Sequence, residues 1–345
     1  MMKHLILMVF VFYSCLSCSN NEAKNAGNNQ TNWERVKEAV REQDDKKKGK
    51  KGDDRKKKKD EDKKAEKKEN GKKENGKKDE TAGTKKETVD FPYSDHLGII
   101  HTWEMPAMLT EISGIAWYEQ NKIAAVQDES GIIFIYNLAE KKIEKEISFG
   151  TKGDYEGITV TPKAFYVLRA DGTVIEVSKI GNDTKEYDTP LEVKDDTEGI
   201  CYDAKNQRLL ISLKASGDAL PGTKNIYAFS LVSHKLSDAP VFTINTNDTI
   251  FEMGSGGKRK DLFQPSEIAM HPKTGELYFT GGTNSSLLIL NNAAKIRFYT
   301  LLNPADFPQP EGIAISPIGD VYISTEGVKS AGKIMKVNLI NKQIN

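Results

Sequence analysis

Glu156, Glu198 and Glu311 each stand directly before a Gly-Ile pair, and Glu267 stands before Ile268 in a related phrase. Ser113-Gly114-Ile115 opens the same phrase once more, and Ser266-Glu267-Ile268 is a variant without the Gly, so that Glu267 occupies the Gly position. Counted from Ser113, the phrases start 43, 42, 68 and 45 residues apart. Carboxylates drawn to one place repel one another and raise one another's pKa. A hard divalent cation relieves this, and calcium accepts six to eight oxygens at about 2.3–2.6 Å in loose geometry. Hydrogen bonds from the backbone N–H groups of a neighbouring unit relieve it equally, making each Glu a latch. The residues leave both chemistries open. The metal candidates are Glu156, Glu198, Glu311 and Glu267, with Asp154 and Asp196 next to them.

Other chemistry finds less support. No Gly-x-Ser-x-Gly phrase is present, and Asp128 and Asp218 are loop acids without a sequence-visible partner. His96, His101, His234 and His271 are scattered, and no Cys or further His completes a transition-metal set. No catalytic residue is therefore nominated, and an enzyme is not the expectation.

The elements that must position the phrases are short strands. A period near 43 is that of a four-stranded propeller blade. After each Gly-Ile come a short strand, a turn, an alternating apolar strand, a polar turn and a third strand, with a fourth such as Lys142–Ser148 before the next start. Turn chemistry separates them, as in Pro272 to Gly275 and Pro317 to Gly319. Period-two patterning without helical stripes predicts an all-β chain, and closure into a ring removes exposed sheet edges. Five blades are expected, with a sixth as the alternative in the long interval between Gly199 and Glu267. Leu97 to Trp103 is predicted to supply the outer strand of the last blade. The first strand of each blade lines the channel, so the Glu residues before it converge at one mouth.

Residues 1–17 read as a lipoprotein signal peptide, with an apolar run Leu5 to Tyr13 too short to span a bilayer. Cys18 is the expected acylated residue and Cys15 the alternative. The residues after Cys18 lack an Asp at the second position, which points to the outer membrane, facing the periplasm or the cell surface, rather than the inner membrane. Residues 18–90 are a Lys/Glu-rich tether with Trp33 as the only aromatic and a tandem Glu-Asn-Gly-Lys-Lys phrase. Such a composition buries too little apolar area to order itself. Residues 91–345 form the propeller domain, and Cys201 in it reads as a buried small hydrophobe.

The formal charge of zero hides an asymmetry. Residues 31–90 carry 23 basic and 17 acidic side chains, and 91–345 carry 25 basic against 32 acidic, a net of −7. An acidic folded part argues against nucleic acid and suits a cation-attracting surface.

Ser113-Gly114-Ile115-Ala116-Trp117 with Ala125-Val126-Gln127-Asp128-Glu129, Asp154-Tyr155-Glu156-Gly157-Ile158, Thr197-Glu198-Gly199-Ile200-Cys201-Tyr202-Asp203 and Pro310-Glu311-Gly312-Ile313-Ala314 resemble, in order, the SdiA-regulated (YjiK-like) domain family. The resemblance implies a five-bladed propeller distantly similar to NHL-repeat propellers, a calcium site and membrane attachment, with no assigned activity. The chain departs from the family's acid after the second strand at Arg169-Ala170-Asp171, Lys214-Ala215 and Gly281-Gly282, while Glu326 keeps it. Together these features predict a monomeric, membrane-anchored, extracytoplasmic propeller that binds calcium and acts as an interaction module for a protein or glycan. The alternative is a calcium-dependent hydrolase, lactonase-, phytase- or esterase-like, with its site at the central channel.

Overall fold

The computed structural model describes residues 97–180, 183–215, 222–252, 263–327 and 330–340, all within the unit Glu87–Asn345. They form five four-stranded antiparallel sheets. The first blade is β2 (Ile112–Glu119), β3 (Lys122–Gln127), β4 (Ile132–Asn137) and β5 (Lys142–Ser148); the second is β6 (Tyr155–Val160), β7 (Ala164–Arg169), β8 (Val174–Ser178) and β9 (Thr184–Tyr187). The third runs β10 (Thr197–Asp203), β11 (Arg208–Leu213), β12 (Thr223–Ser230), β13 (Phe242–Asn245), and the fourth β14 (Pro265–Met270), β15 (Leu277–Gly281), β16 (Ser286–Leu290), β17 (Ile296–Leu301). In the fifth, β18 (Pro310–Ile315), β19 (Val321–Thr325) and β20 (Lys333–Leu339) are completed by β1 (Leu97–Glu104). The expected five-bladed propeller is the fold, and the described residues of the long interval add no sixth sheet.

β1 closes the ring as its pattern predicted, pairing antiparallel with β20 from Leu97↔Leu339 to Glu104↔Lys333. Without it β20 would present an unpaired edge. Trp103 secures the junction: its indole N–H donates to Leu138 O in the first blade at 2.8 Å, and its ring lies 6.1 Å from Tyr322, which in turn lies 5.4 Å from Trp117.

Each interface between neighbouring blades has its own apolar core, and the repeated phrase builds it. The Ile of each phrase packs back on the preceding blade: Ile158 with Ala116, Ile268 with Cys201, Ile313 with Ala269, and Ile115 with Ala314. Ile200 packs with Leu168 and Val174. The residue after the Ile is small every time (Ala116, Thr159, Cys201, Ala269, Ala314) because blades crowd one another most near the axis. Gly serves the same crowding. A Cβ on Gly199 would lie 2.7 Å from Ile268 N, closer than any side chain tolerates. Cys201 is buried, and burial pushes its thiol up, which leaves it the inert hydrophobe its position suggested.

The signal peptide, Cys15, Cys18, the tether, His96 and Asp218 all lie outside the described residues.

Candidate functional site: the acidic mouth of the ring

The first strand of every blade slips register where its phrase opens, and β2 slips once more between Trp117 and Glu119. The breaks fall between Tyr155 and Gly157, Thr197 and Gly199, Pro265 and Glu267, Pro310 and Gly312, and within Ile112–Ile115. The residue opening each phrase is thus the extra residue of a β-bulge, unpaired and free to aim its side chain away from the ladder. Glu156, Glu198 and Glu311 are bulge residues, as are Ser113 and Ser266. Glu267 pairs with Thr280 just as Gly199 pairs with Ser212, so it stands at the Gly position in structure as in sequence.

Beside the bulges, the residue that follows each second strand completes the rim. These are Asp128, Ala170, Lys214, Gly282 and Glu326 in blades one to five. Ten rim positions therefore carry five carboxyl groups, Asp128, Glu156, Glu198, Glu311 and Glu326, against one ammonium, Lys214. Glu198 is 4% exposed and accepts a hydrogen bond from Lys214 Nζ at 2.7 Å. The other four carboxyl groups are half-buried.

Burial and mutual repulsion hold this rim above the ordinary carboxylate range. Glu156 is pushed up to about 8 by burial and then by Asp154, with Lys214 pulling the other way. Burial, and after it Glu311 and Asp128, carries Glu326 to about 7. Asp128 reaches about 6 through burial, with Glu111, Glu129 and Asp154 adding to it. Glu198 and Glu311 are raised by burial and restrained by Lys214. For Lys214 burial works downward, but Glu198, Asp196 and Glu311 override it and the ammonium is held above its usual value.

Two departures from the family pattern acquire a reason here. Gly282 makes room for a neighbour: a Cβ there would lie 2.6 Å from Glu311 Oε1. Lys214, in place of an acid, is the counter-ion of the rim. The third departure is self-contained, since Arg169 pairs with Asp171 at 3.0 Å and Glu186 at 3.4 Å.

Glu267 parts company with the other three. It is fully buried, and its Oε1 accepts the N–H groups of Ile200 at 2.7 Å and Ile268 at 3.0 Å. The N–H of Ile158 also faces its carboxyl group, and Oε2 would lie 2.8 Å from a Cβ on Gly114. A group within reach of blades one, two, three and four lies near the axis. Glu267 is therefore the latch that the sequence left open as an alternative. Its Oε2 has no hydrogen-bond partner among the described residues, and burial raises its pKa well above the carboxylate norm.

As placed, these donors do not suit calcium. The cation nearest Glu198 is Lys214, and among the described residues no three His, Cys, Asp or Glu side chains group into a metal cage. The described histidines pack elsewhere: His101 edge-on against Trp103, His234 stacked on Tyr187, and His271 against Tyr278. The resemblance had marked Lys214 and Glu326 by their place after the second strand, but sequence reasoning did not join them or Asp128 to the Glu set as one rim. The available signal was their shared place, directly after the second strand.

No family model matches the chain, and no curated protein matches it in sequence. Among solved structures, Myxococcus xanthus glutaminyl cyclase is similar over 71% of this chain and 96% of its own, at 15% identity and a TM-score of 0.52. A PQQ-bound aldose sugar dehydrogenase from Streptomyces coelicolor matches over 72% and 99% at 11% identity and TM-score 0.46. A streptogramin B lyase matches over 71% and 98% at 17% identity and TM-score 0.43. At such identities the first likeness carries the fold alone: a β-propeller, here of five blades.

Proposed function

We propose that the protein is a binding module of the SdiA-regulated type, held at the cell envelope by an acylated Cys18, whose acidic rim receives the basic side chain of a protein partner. The observation that supports this is the imbalance at the mouth, where five carboxyl groups face one ammonium and three of them titrate at about 6 to about 8. Burial first, and like charge after it, raises these carboxyl groups, and a cation brought among them favours their ionised forms. A lysine or arginine side chain supplies that charge without displacing Lys214, whereas calcium enters only where Lys214 leaves. No residue at the rim forms a nucleophile–base pair, which keeps the calcium-dependent hydrolase as the second reading.

The test is titration of the full chain with a lysine-rich peptide and with an acidic control peptide of equal length. Binding of the basic peptide should weaken at least tenfold in a Glu156→Gln, Glu311→Gln double variant and fall as salt rises. Equal binding of both peptides, or no loss in the double variant, would overturn the reading. Calcium-stimulated ester or lactone hydrolysis abolished by Glu198→Gln would replace it with the hydrolase.

A further inference from the structure

The face opposite the acidic mouth holds one cleft whose lining carries charge of the opposite sign. First strands run away from the Glu end, so the turns between first and second strands, and between third and fourth, lie on that far face. Between blades three and four these turns border a cleft of about 620 Å³, the size of a small-molecule site. The turn after β14 leans on the fifth blade, where Lys273 Nζ donates to Ile318 O at 2.8 Å and a Cβ on Gly319 would lie 3.0 Å from His271 Nε2.

Phe242, Met270 and Leu277 give the cleft an apolar floor, and Lys205, Arg208 and Lys273 give it three cations. The one acid among its lining residues, Asp203, is already committed. It is 2% exposed, takes Arg208 Nε at 2.8 Å and Asn206 Nδ2 at 2.7 Å, and is held below its usual pKa despite its burial by those bonds. Anchored through Nε, with its guanidinium 5.9 Å over the Phe242 ring, Arg208 keeps both Nη groups for a ligand. Asn206, Asn291 and Asn292 add neutral amides around it.

We infer that this cleft binds a phosphate-bearing molecule whose body lies on Phe242 and Met270. A fixed guanidinium matches phosphate oxygens two at a time; the Lys205 ammonium adds charge without fixing shape, and Lys273, bonded to Ile318 O, adds its charge from the cleft edge. On a domain of net −7, a pocket whose only acid is neutralised by its own arginine is the place where an anion is tolerated. The shared chemistry admits two sources, a soluble phosphate ester or the headgroup of an anionic lipid.

The test uses the full chain and calorimetric titration with glucose 6-phosphate, with glucose and with inorganic phosphate, beside sedimentation with phosphatidylglycerol and phosphatidylcholine vesicles. Glucose 6-phosphate should bind and glucose should not, or phosphatidylglycerol vesicles should be retained over phosphatidylcholine ones. Either preference should weaken at least tenfold in a Lys205→Glu, Lys273→Glu variant with unchanged melting temperature. Because Arg208→Ala strands Asp203 and risks unfolding, Arg208→Lys is the companion variant and should also lose affinity. Retention of the ester alone assigns a soluble ligand, and retention of the vesicles alone assigns the lipid. Absence of any preference for phosphate, or a preference that survives both variants, overturns the inference.

Discussion

The rim makes an unusual prediction about acid. A carboxyl group whose folded pKa lies above its unfolded value takes up a proton on folding in the interval between the two. It destabilises the fold fully above the higher value, and that burden lifts as pH falls toward the lower. Glu156, carried from 4.5 to about 8, would be worth about 5 kcal/mol at about 1.4 kcal/mol per unit. Because its side chain is half-buried and water screens it, about 2 kcal/mol is the expected share. For a domain of this size that is roughly 4–8 °C in melting temperature. Glu326 and Asp128 act in the same direction within narrower windows ending at about 7 and about 6. The carboxylates with lowered values, Asp171, Asp203 and Glu144, act oppositely, but only below their ordinary range. Thermal melts followed by circular dichroism between pH 8.5 and pH 5 should therefore show the protein gaining stability on acidification. His271, held below 6.5 by burial, opposes this in the lower part of the range. A Glu156→Gln variant, which keeps His271, isolates the rim. It should melt above the parent at pH 8.5 and converge with it near pH 5. A parent whose melting temperature falls with acid, or a variant with the parent's slope, would refute the account of the rim.

Two further perturbations test its parts. Lys214→Met leaves Glu198 buried without its cation, a change that costs about 3–5 kcal/mol when a charge is fully stranded; since Glu198 can take a proton instead, a loss of about 2 kcal/mol at pH 8 is expected, shrinking at pH 5.5. Millimolar calcium should restore part of that loss in the variant and leave the parent's melt unmoved, and a calcium-stabilised parent would show that Lys214 is not the counter-ion. Gly157→Ala places a Cβ 2.8 Å from Glu198 O, and overpacking of this kind costs about 1–3 kcal/mol, so an unchanged denaturation midpoint would remove close blade approach as the reason for the Gly.

The ring was legible because its physics repeats. The phrase recurs at blade spacing, and both Gly and Ile answer to the crowding of neighbouring blades near the axis, so five copies report one constraint. The outer strand Leu97–Glu104 was legible for a similar reason, since β20 ends the chain's pattern one strand short. The division of labour among the carboxylates was not legible. Period-two patterning counts residues as though every strand were regular, and a bulge adds one residue without changing composition. The phrase set Glu267 apart at the Gly position, but only the register reveals that Glu156, Glu198 and Glu311 are unpaired bulge residues. Lys214 and Gly282 looked like losses because a sequence compared position by position shows an acid missing. It does not show Glu198 of the same blade, which Lys214 answers, or Glu311 of the next blade, which Gly282 answers.

The same reasoning explains why the Gly is replaced in one blade only. Four first strands keep Gly where a side chain would run into the next blade's backbone, as at Gly114, Gly157, Gly199 and Gly312. The space these glycines leave converges on the axis, where the inward edge of each first strand presents N–H groups without a ladder partner. One carboxyl group placed there satisfies several of them together, as Glu267 does with Ile200 and Ile268. A second would meet the first within van der Waals distance and add a second buried acid for the same donors. The arrangement therefore admits a single occupant, and its placement in the fourth blade leaves Ser266 as that blade's bulge residue. The Ser266 hydroxyl then bonds Pro310 O of the fifth blade at 2.6 Å rather than adding a sixth carboxyl group to a rim already short of cations.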